Sequence, residues 1–153
     1  GMYHTVAGHT DSIISARTRF YVRNGSDGKV ANAPYVDNSY KWAGGGFLST
    51  PEDMIRFGSA HLGSDLIGLE TLEEWFTPQT LKSGDNTTYG VGWGITNTDA
   101  GERIVSHGGG SVGGTAILLV NRDTGLVVAA LGNMSNAPIP QLGRSIMAAF
   151  AGN

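Results

Sequence analysis

The chain has no cysteine, little charge of either sign and no long apolar run. Without cysteine, neither a disulfide framework nor thiolate chemistry is possible. Charged residues are 15% of the sequence, against about 25% in a typical soluble protein. The net charge of −3 comes with no basic stripe, which argues against a nucleic-acid-binding protein. No run approaches the roughly 18 apolar residues of a membrane helix, so we expect no membrane segment in this chain.

Glycine, by contrast, is abundant. The 153 residues include 24 glycines, about double the usual share of roughly 7%. Five of them fall in the nine residues SHGGGSVGG at 106–114. Glycine loses more conformational freedom on folding than any other residue, and it is tolerated where φ is positive or where another backbone must come very close. This segment is therefore the first candidate for a functional site.

Local patterns predict three helices. Thr50 as N-cap, Pro51 in the first turn and the acids Glu52 and Asp53 predict the start of a helix that runs to Gly63. A shorter helix is expected in LETLEEWF at 69–76. The last segment, 138–152, reads as a closing amphipathic helix, with an apolar stripe of Leu142, Ile146, Met147 and Phe150.

Strand patterns fall into a short hairpin and a longer meander. An early hairpin is expected around the turn RNGSDG. Four later runs predict an antiparallel meander: 87–96, 102–109, 115–120 and 125–133. The last two are apolar at nearly every position, which is typical of strands buried on both faces, so helices should cover both sides. The expected fold class is α+β, an antiparallel sheet of about four strands with flanking helices.

Three motif matches are better explained as coincidence. Residues 109–113 match Gly-x-Ser-x-Gly, but a nucleophile elbow needs a helix after it and a strand-forming run follows here. Residues 26–29 match Ser-x-x-Lys, but NGSDGK is a turn and not the helix that this motif requires. His4, His9 and Asp11 have no regular ligand spacing, so we expect no metal and no other cofactor.

His107 stands apart from these matches, because it ends a strand and enters the glycine run. One interpretation is an inert, hydrogen-bonded histidine at a strand end. The other is functional. A strand edge beside glycines lets an extended ligand add as a further strand, and an imidazole there can donate to a carboxylate or change charge near neutral pH.

Four stretches together resemble a known family: GMYHT, YKWAGGGFLSTPEDMIRFGSAHL, YGVGWGI and SHGGGSVGGTAILLVNRDTGLVVAALGNMSN. They are similar to the C-terminal half of the serine β-lactamase and penicillin-binding-protein superfamily, nearest to its class C β-lactamase, DD-peptidase and esterase branch. The resemblance covers nearly the whole chain, with the motifs in the family's order. It implies a partial β-lactamase/transpeptidase-like fold.

The resemblance also implies a site. The family uses a helix-borne Ser-x-x-Lys, a Tyr-x-Asn loop and a Lys-Thr-Gly or His-x-Gly triad on an edge strand, and His107-Gly108-Gly109 matches the triad. By this likeness His107 is a catalytic residue and the Gly110 N–H is an oxyanion donor. Gly108, Gly109 and Ser111 would bind substrate. The glycines would let an acyl substrate lie against the strand.

The first two family elements are not found here, since the sequence has no helix-borne Ser-x-x-Lys and no Tyr-x-Asn. We therefore expect residues 1–153 to be a single partial domain, the C-terminal portion of a hydrolase acting on β-lactams, D-alanyl peptides or small esters. Alone it would be inactive, because nucleophile and base are missing. The alternatives are a non-catalytic remnant that binds a ligand or partner along the edge strand, or an unrelated β-meander module.

The expected partner is a small acyl substrate or a peptide, with no nucleic acid. We also expect self-association, because a partial domain of this kind would leave one side of its apolar sheet uncovered. If the protein behaves like many bacterial relatives, its location is periplasmic or extracellular.

Overall fold

The computed structural model describes residues 1–25 and 27–151. Within them the strands are β1 (Val6–Ala7), β2 (Tyr21–Arg23), β3 (Val30–Asn32), β4 (Phe47–Leu48), β5 (Gly94–Asn97), β6 (Arg103–Ser111), β7 (Gly114–Asn121) and β8 (Leu126–Gly132). The helices are α1 (Pro51–Ser59), α2 (Leu69–Trp75) and α3 (Ile139–Ala151), with a short 3₁₀ turn at Trp42–Gly44. The expected α+β class is confirmed.

A four-stranded antiparallel sheet, in the order β5-β6-β7-β8, forms the centre of the fold. The turn between β7 and β8 has Gly125 at φ 74°, as the sequence predicted. β2 and β3 form the predicted hairpin. β1 pairs with β4 over two residues, a contact that local patterns did not predict.

Helices cover both faces of β7. Leu118 and Val120 belong to a core with Leu72 and Phe76 of the α2 region, and Ile117 packs instead with Met147 of α3. This confirms the reading of β7 as buried on both faces. Among the described residues β8 pairs with β7 alone, so the sheet has an unpaired outer edge there.

A glycine brings each covering helix close to the sheet. A Cβ on Gly58 of α1 would lie 2.6 Å from Val127 Cγ1, and one on Gly143 of α3 would lie 2.6 Å from Ile117 Cγ2. Those distances are too short for any real side chain. Helix α1 begins as predicted, with the Asp53 N–H donating to the Thr50 hydroxyl at 3.3 Å.

Three local predictions need correction. Helix α1 ends at Ser59 and not at Gly63, since Ala60 already caps it. The run 87–96 is a strand only from Gly94 onward, because the preceding loop turns at Gly92, where φ is +77°. The stripe expected on α3 is only partly right. Met147 is buried, but Leu142 and Phe150 are 50% and 63% exposed, because Gly143 is the position that meets the sheet.

Candidate functional site

Strand β6 is paired differently along its two halves. Residues 104–106 pair with both β5 and β7, whereas in the described part of the chain 107–111 pair with β7 alone. In an antiparallel strand every second residue directs its N–H and C=O to the same side. The outer half of β6 therefore presents backbone donors and acceptors along an open flank. The segment lies in a strand and is not covered by other strands.

The glycines in this outer half are not required by the fold. A Cβ on Gly109 would meet nothing within 4 Å, and one on Gly110 would meet only the Gly114 oxygen at 4.0 Å. Neither residue has a positive φ. Gly108 is tighter, with Ile117 Cδ1 at 3.0 Å from a Cβ. At Gly109 and Gly110, no described residue occupies the space that a side chain would take.

His107 is exposed and held by the loop before β5. Its Nδ1 lies 2.6 Å from the Gly92 carbonyl oxygen and 3.1 Å from the Tyr89 hydroxyl. A carbonyl only accepts, so Nδ1 carries the hydrogen and donates to Gly92. In the neutral ring Nε2 is then the unprotonated nitrogen, and it makes no hydrogen bond within the described part of the chain. The ring is anchored on one side and available on the other.

Tyr89 is a site residue that sequence reasoning missed. The stretch Tyr89–Trp93 reads as purely structural, with glycines that allow close packing. The fold instead brings Tyr89 to His107, because Gly94 pairs with Ser106 and carries the preceding loop to the β6 edge. No sequence signal points to this contact, since it depends on strand register.

Ser111 closes the outer half of β6 at its far end. It pairs with Gly114 across a tight turn. Its hydroxyl accepts from Asn38 Nδ2 at 3.4 Å, and its carbonyl accepts from the Ser135 hydroxyl at 3.4 Å. Residues 109–113 therefore lie in the end of a strand and the turn after it, and another strand follows. The match to a nucleophile elbow is a coincidence, as predicted.

A cavity of about 400 Å³ opens beside the outer half of β6. On β6 the positions 106, 108 and 110 lie opposite Leu119, Ile117 and Thr115, on the face that α3 covers. The rest of the lining comes from three other places: the segment leading into β5, strand β7, and the segment that enters α3 with its first turns. The full lining is Tyr89, Gly94, Ser106, His107, Gly108, Gly109, Gly110, Thr115, Ile117, Asn136, Pro140 and Arg144. Four of the predicted site residues thus line one cavity: His107, Gly108, Gly109 and Gly110. Ser111 lies just beyond it.

Asp53 of α1 has a fully buried carboxylate. It accepts hydrogen bonds from the N–H groups of Tyr3 (3.1 Å) and His4 (2.7 Å), from the Thr5 hydroxyl (2.9 Å) and from Arg56 (2.8 Å). The carboxylate thereby fastens the first residues to α1. The sequence had indicated only a first-turn acid.

The same contacts set the ionisation of Asp53. Burial opposes the charged form, but the hydrogen bonds from His4, Thr5, Tyr3 and Arg56 outweigh it and lower the pKa of Asp53 to about 2. The carboxylate is therefore ionised at neutral pH. Its oxygens already have four donors, so its role is to hold the fold together.

The remaining candidates do not form a site. Ser26 lies outside the described residues, and Lys29 of the same match pairs with Asp27 at 3.2 Å. His9 packs edge-on against Trp42. Among residues 1–25 and 27–151, no three His, Cys, Asp or Glu side chains are grouped to hold a metal ion. No helix in that part of the chain is long and apolar enough to cross a membrane.

Comparison with known proteins agrees with this architecture. The Beta-lactamase family model matches residues 1–148. The chain is 38% identical over 144 residues to the serine beta-lactamase-like protein LACTB, mitochondrial, of Homo sapiens, covering 78% of this chain and 26% of that protein. It is 35% identical over 71 residues to penicillin-binding protein 4* of Bacillus subtilis, covering 46% of this chain and 16% of that protein.

Solved structures share the fold. The octameric penicillin-binding protein homologue from Pyrococcus abyssi superposes with a TM-score of 0.78 at 21% identity, over 99% of this chain and 35% of that one. The penicillin binding protein from Bacillus halodurans gives a TM-score of 0.72 at 19% identity, over 99% of this chain and 45% of that one. The chain spans about a quarter of the length of the curated mitochondrial relatives, 26%.

Proposed function

Because the chain belongs to the β-lactamase family, we propose that it is the C-terminal portion of a serine hydrolase, in which residues 107–111 of β6 bind the acyl group. The reaction would be hydrolysis of a β-lactam, a D-alanyl peptide or a small ester through an acyl-enzyme. One observation carries the proposal. The outer half of β6 has an open flank and glycines that the fold itself does not need.

In this proposal the substrate lies along β6 as an added strand. Gly108, Gly109 and Ser111 would contact it, and the cleared positions let its backbone come close. The Gly110 N–H would donate to the oxygen that gains negative charge when the carbonyl is attacked. Removal of one such donor costs about 2.7–4 kcal/mol of transition-state stabilisation in acyl-transfer enzymes.

His107 would act through Nε2. The hydrogen bond from Nδ1 to the Gly92 carbonyl fixes the ring, so the neutral form offers Nε2 as a proton acceptor and the charged form offers it as a donor. Tyr89 holds the same side of the ring and would act as a positioning residue.

The nucleophile and its base would come from Ser-x-x-Lys and Tyr-x-Asn elements, neither of which this sequence supplies in a usable form. The chain by itself is then inactive, a single partial domain over 1–153. Nitrocefin and p-nitrophenyl acetate should give no burst of product with the purified chain. A burst stoichiometric with protein would contradict the proposal that the nucleophile is absent.

Ligand binding tests the edge directly. In a ¹⁵N–¹H spectrum of the chain titrated with N-acetyl-D-alanyl-D-alanine methyl ester, the amides of 107–111 should shift. A Gly109→Ala/Gly110→Ala variant should bind at least tenfold more weakly, because its methyl groups occupy the space that the ligand needs. Gly63→Ala is the matched control, since a Cβ there also meets nothing within 4 Å. An unchanged spectrum at 107–111 would refute the binding role.

The alternative function is non-catalytic binding along the same edge. The observation that favours it is the unpaired outer half of β6, because binding an extended ligand there requires no nucleophile. The genomic reading frame separates the two. A frame that encodes Ser-x-x-Lys and Tyr-x-Asn ahead of Gly1 supports the hydrolase, whereas a frame that lacks them supports the binding protein.

A further inference from the structure

The hydroxyl group of Tyr89 carries a hydrogen that no described residue accepts. Its oxygen lies 3.1 Å from His107 Nδ1, but Nδ1 already carries the hydrogen that it donates to the Gly92 carbonyl at 2.6 Å. A protonated ring nitrogen has no lone pair with which to accept. The Tyr89 oxygen can therefore only accept on that side, and its own O–H group is left to donate elsewhere.

Tyr89 lines the cavity beside β6 and is 46% exposed, so a ligand can reach it. A tyrosine that donates only to water is ordinary at a protein surface. This one differs because the neutral ring of His107, in the same cavity, leaves Nε2 as an acceptor. The two side chains together offer one uncharged donor and one uncharged acceptor, and they therefore fit a neutral polar group.

Tyr89 also lies where the open part of β6 begins. Gly94 pairs with Ser106, the last β6 residue that β5 reaches, and Tyr89 forms an isolated bridge with Gly94. The chain between them turns back at Gly92, where φ is +77°. This turn stops β5 from continuing along 107–111, so an extended ligand on that edge has one end beside Tyr89.

We propose that Tyr89 donates its hydroxyl hydrogen to a neutral oxygen of the acyl ligand, at the end of the ligand that lies beside the turn. The inference rests on the proposed function, since it places the ligand along 107–111. It adds a ligand contact to the positioning role of Tyr89. It also narrows the substrate class to acyl compounds that carry a carbonyl, ether or hydroxyl oxygen at that end, and compounds with an alkyl group there become poorer ligands.

The test is a ¹⁵N–¹H titration of the 153-residue chain with N-acetyl-D-alanyl-D-alanine methyl ester, which is uncharged and has a carbonyl oxygen near each end. Tyr89→Phe removes the hydroxyl group and keeps the ring. We expect this variant to bind the ester about fivefold more weakly, the loss typical of one neutral hydrogen bond.

Tyr35→Phe is the matched control. It removes a hydroxyl group from a tyrosine that is 73% exposed and does not line the cavity, so it should leave the affinity unchanged. A long-range ¹⁵N spectrum of the His107 ring gives a second readout. Because the Gly92 carbonyl holds the hydrogen on Nδ1, Tyr89→Phe should leave the tautomer unchanged. Unchanged melting temperatures would show that both variants fold.

The outcomes separate the two proposals. Equal binding by the unmodified chain and Tyr89→Phe, or an equal loss in Tyr35→Phe, overturns the role of Tyr89 and leaves the edge as the binding site. Weaker binding together with a changed His107 tautomer also overturns it, because Tyr89 would then act only through the ring. Failure of the ester to shift the amides of 107–111 in the unmodified chain overturns the binding edge, and the Tyr89 proposal with it.

Discussion

The glycines that meet the sheet from its helices differ from the glycines in the outer half of β6. On Gly58 and Gly143 an added Cβ would collide with sheet side chains at 2.6 Å, whereas on Gly109 it would touch nothing. The first set lets two backbones approach each other within the fold. The second set leaves space that the fold does not fill.

This difference teaches how to separate stability from function in the chain. When a residue that the fold needs is replaced, the protein loses stability. When a residue that serves only a ligand is replaced, stability is unchanged or rises and the protein loses binding instead. By their geometry the glycines at 109 and 110 are not needed for packing, and that they serve a ligand is the proposal made above. Substitutions at the two kinds of glycine should therefore have opposite effects on unfolding.

The largest effect is expected at Gly90. A Cβ there would lie 2.1 Å from the Trp75 carbonyl oxygen, which is backbone and cannot rotate away. Gly90→Ala should lower the free energy of unfolding by about 3 kcal/mol, as measured by urea denaturation. Gly63→Ala serves as control. A loss below about 1 kcal/mol would show that the Trp75 segment moves freely.

A smaller loss is expected at Gly143. Overpacking costs about 1–3 kcal/mol, and alanine returns up to about 1 kcal/mol of helix propensity. With the full gain in propensity, the difference is a loss of about 0–2 kcal/mol, and the 2.6 Å contact with Ile117 Cγ2 places Gly143→Ala near the upper end of that range. Ser145→Ala, at an exposed position of the same helix, should change it by a few tenths of a kcal/mol only. Equal effects of the two substitutions would break the comparison.

The unmodified chain should lose the stability that Asp53 contributes only at acid pH. The pKa of Asp53 is lowered to about 2 from 3.8, so its contribution is complete above pH 4 and declines as the pH falls toward 2. Thermal unfolding from pH 7 to pH 2 should show this decline. Asp53→Asn should lower the melting temperature at pH 7. Below pH 4 its melting temperature should then fall less steeply with pH than that of the unmodified chain. If the melting temperature of the variant falls just as steeply below pH 4, the decline is due to other carboxylates.

The smallest effect, and of opposite sign, is expected at Gly109 and Gly110. Alanine in a strand is about 0.5 kcal/mol more stable than glycine where nothing obstructs it. Each substitution should raise the free energy of unfolding by about that amount, in the same urea experiment. Ligand binding should fall in the same proteins. Destabilisation of more than about 1 kcal/mol would place these glycines with the packed ones.

Much of the fold could be predicted from local patterns. The cap at Thr50, the turn at Gly125 and the mostly apolar β7 are encoded by neighbouring residues, and the structure confirms all three. The prediction that His107 lies in a strand is also confirmed. The predicted roles of His107, Gly108, Gly109, Gly110 and Ser111 stay predictions, and so does self-association.

What could not be predicted depends on distant contacts. Tyr89 reaches His107 from 18 positions away, and the Asp53 carboxylate binds the Tyr3 N–H from 50 positions away. Such contacts follow from strand register and from the path of a loop, neither of which leaves a local signal. The exposure of Leu142 has the same origin, because Gly143 is the α3 residue that meets Ile117 of the sheet.

The left-handed backbone at Gly92 has a chemical consequence at His107. With φ at +77°, a conformation that side chains disfavour, this residue turns its carbonyl to Nδ1. One backbone torsion thus helps to choose the tautomer of a histidine 15 positions further along the chain. A side chain at position 92 would strain this left-handed backbone, and with it the carbonyl that holds the proton on Nδ1.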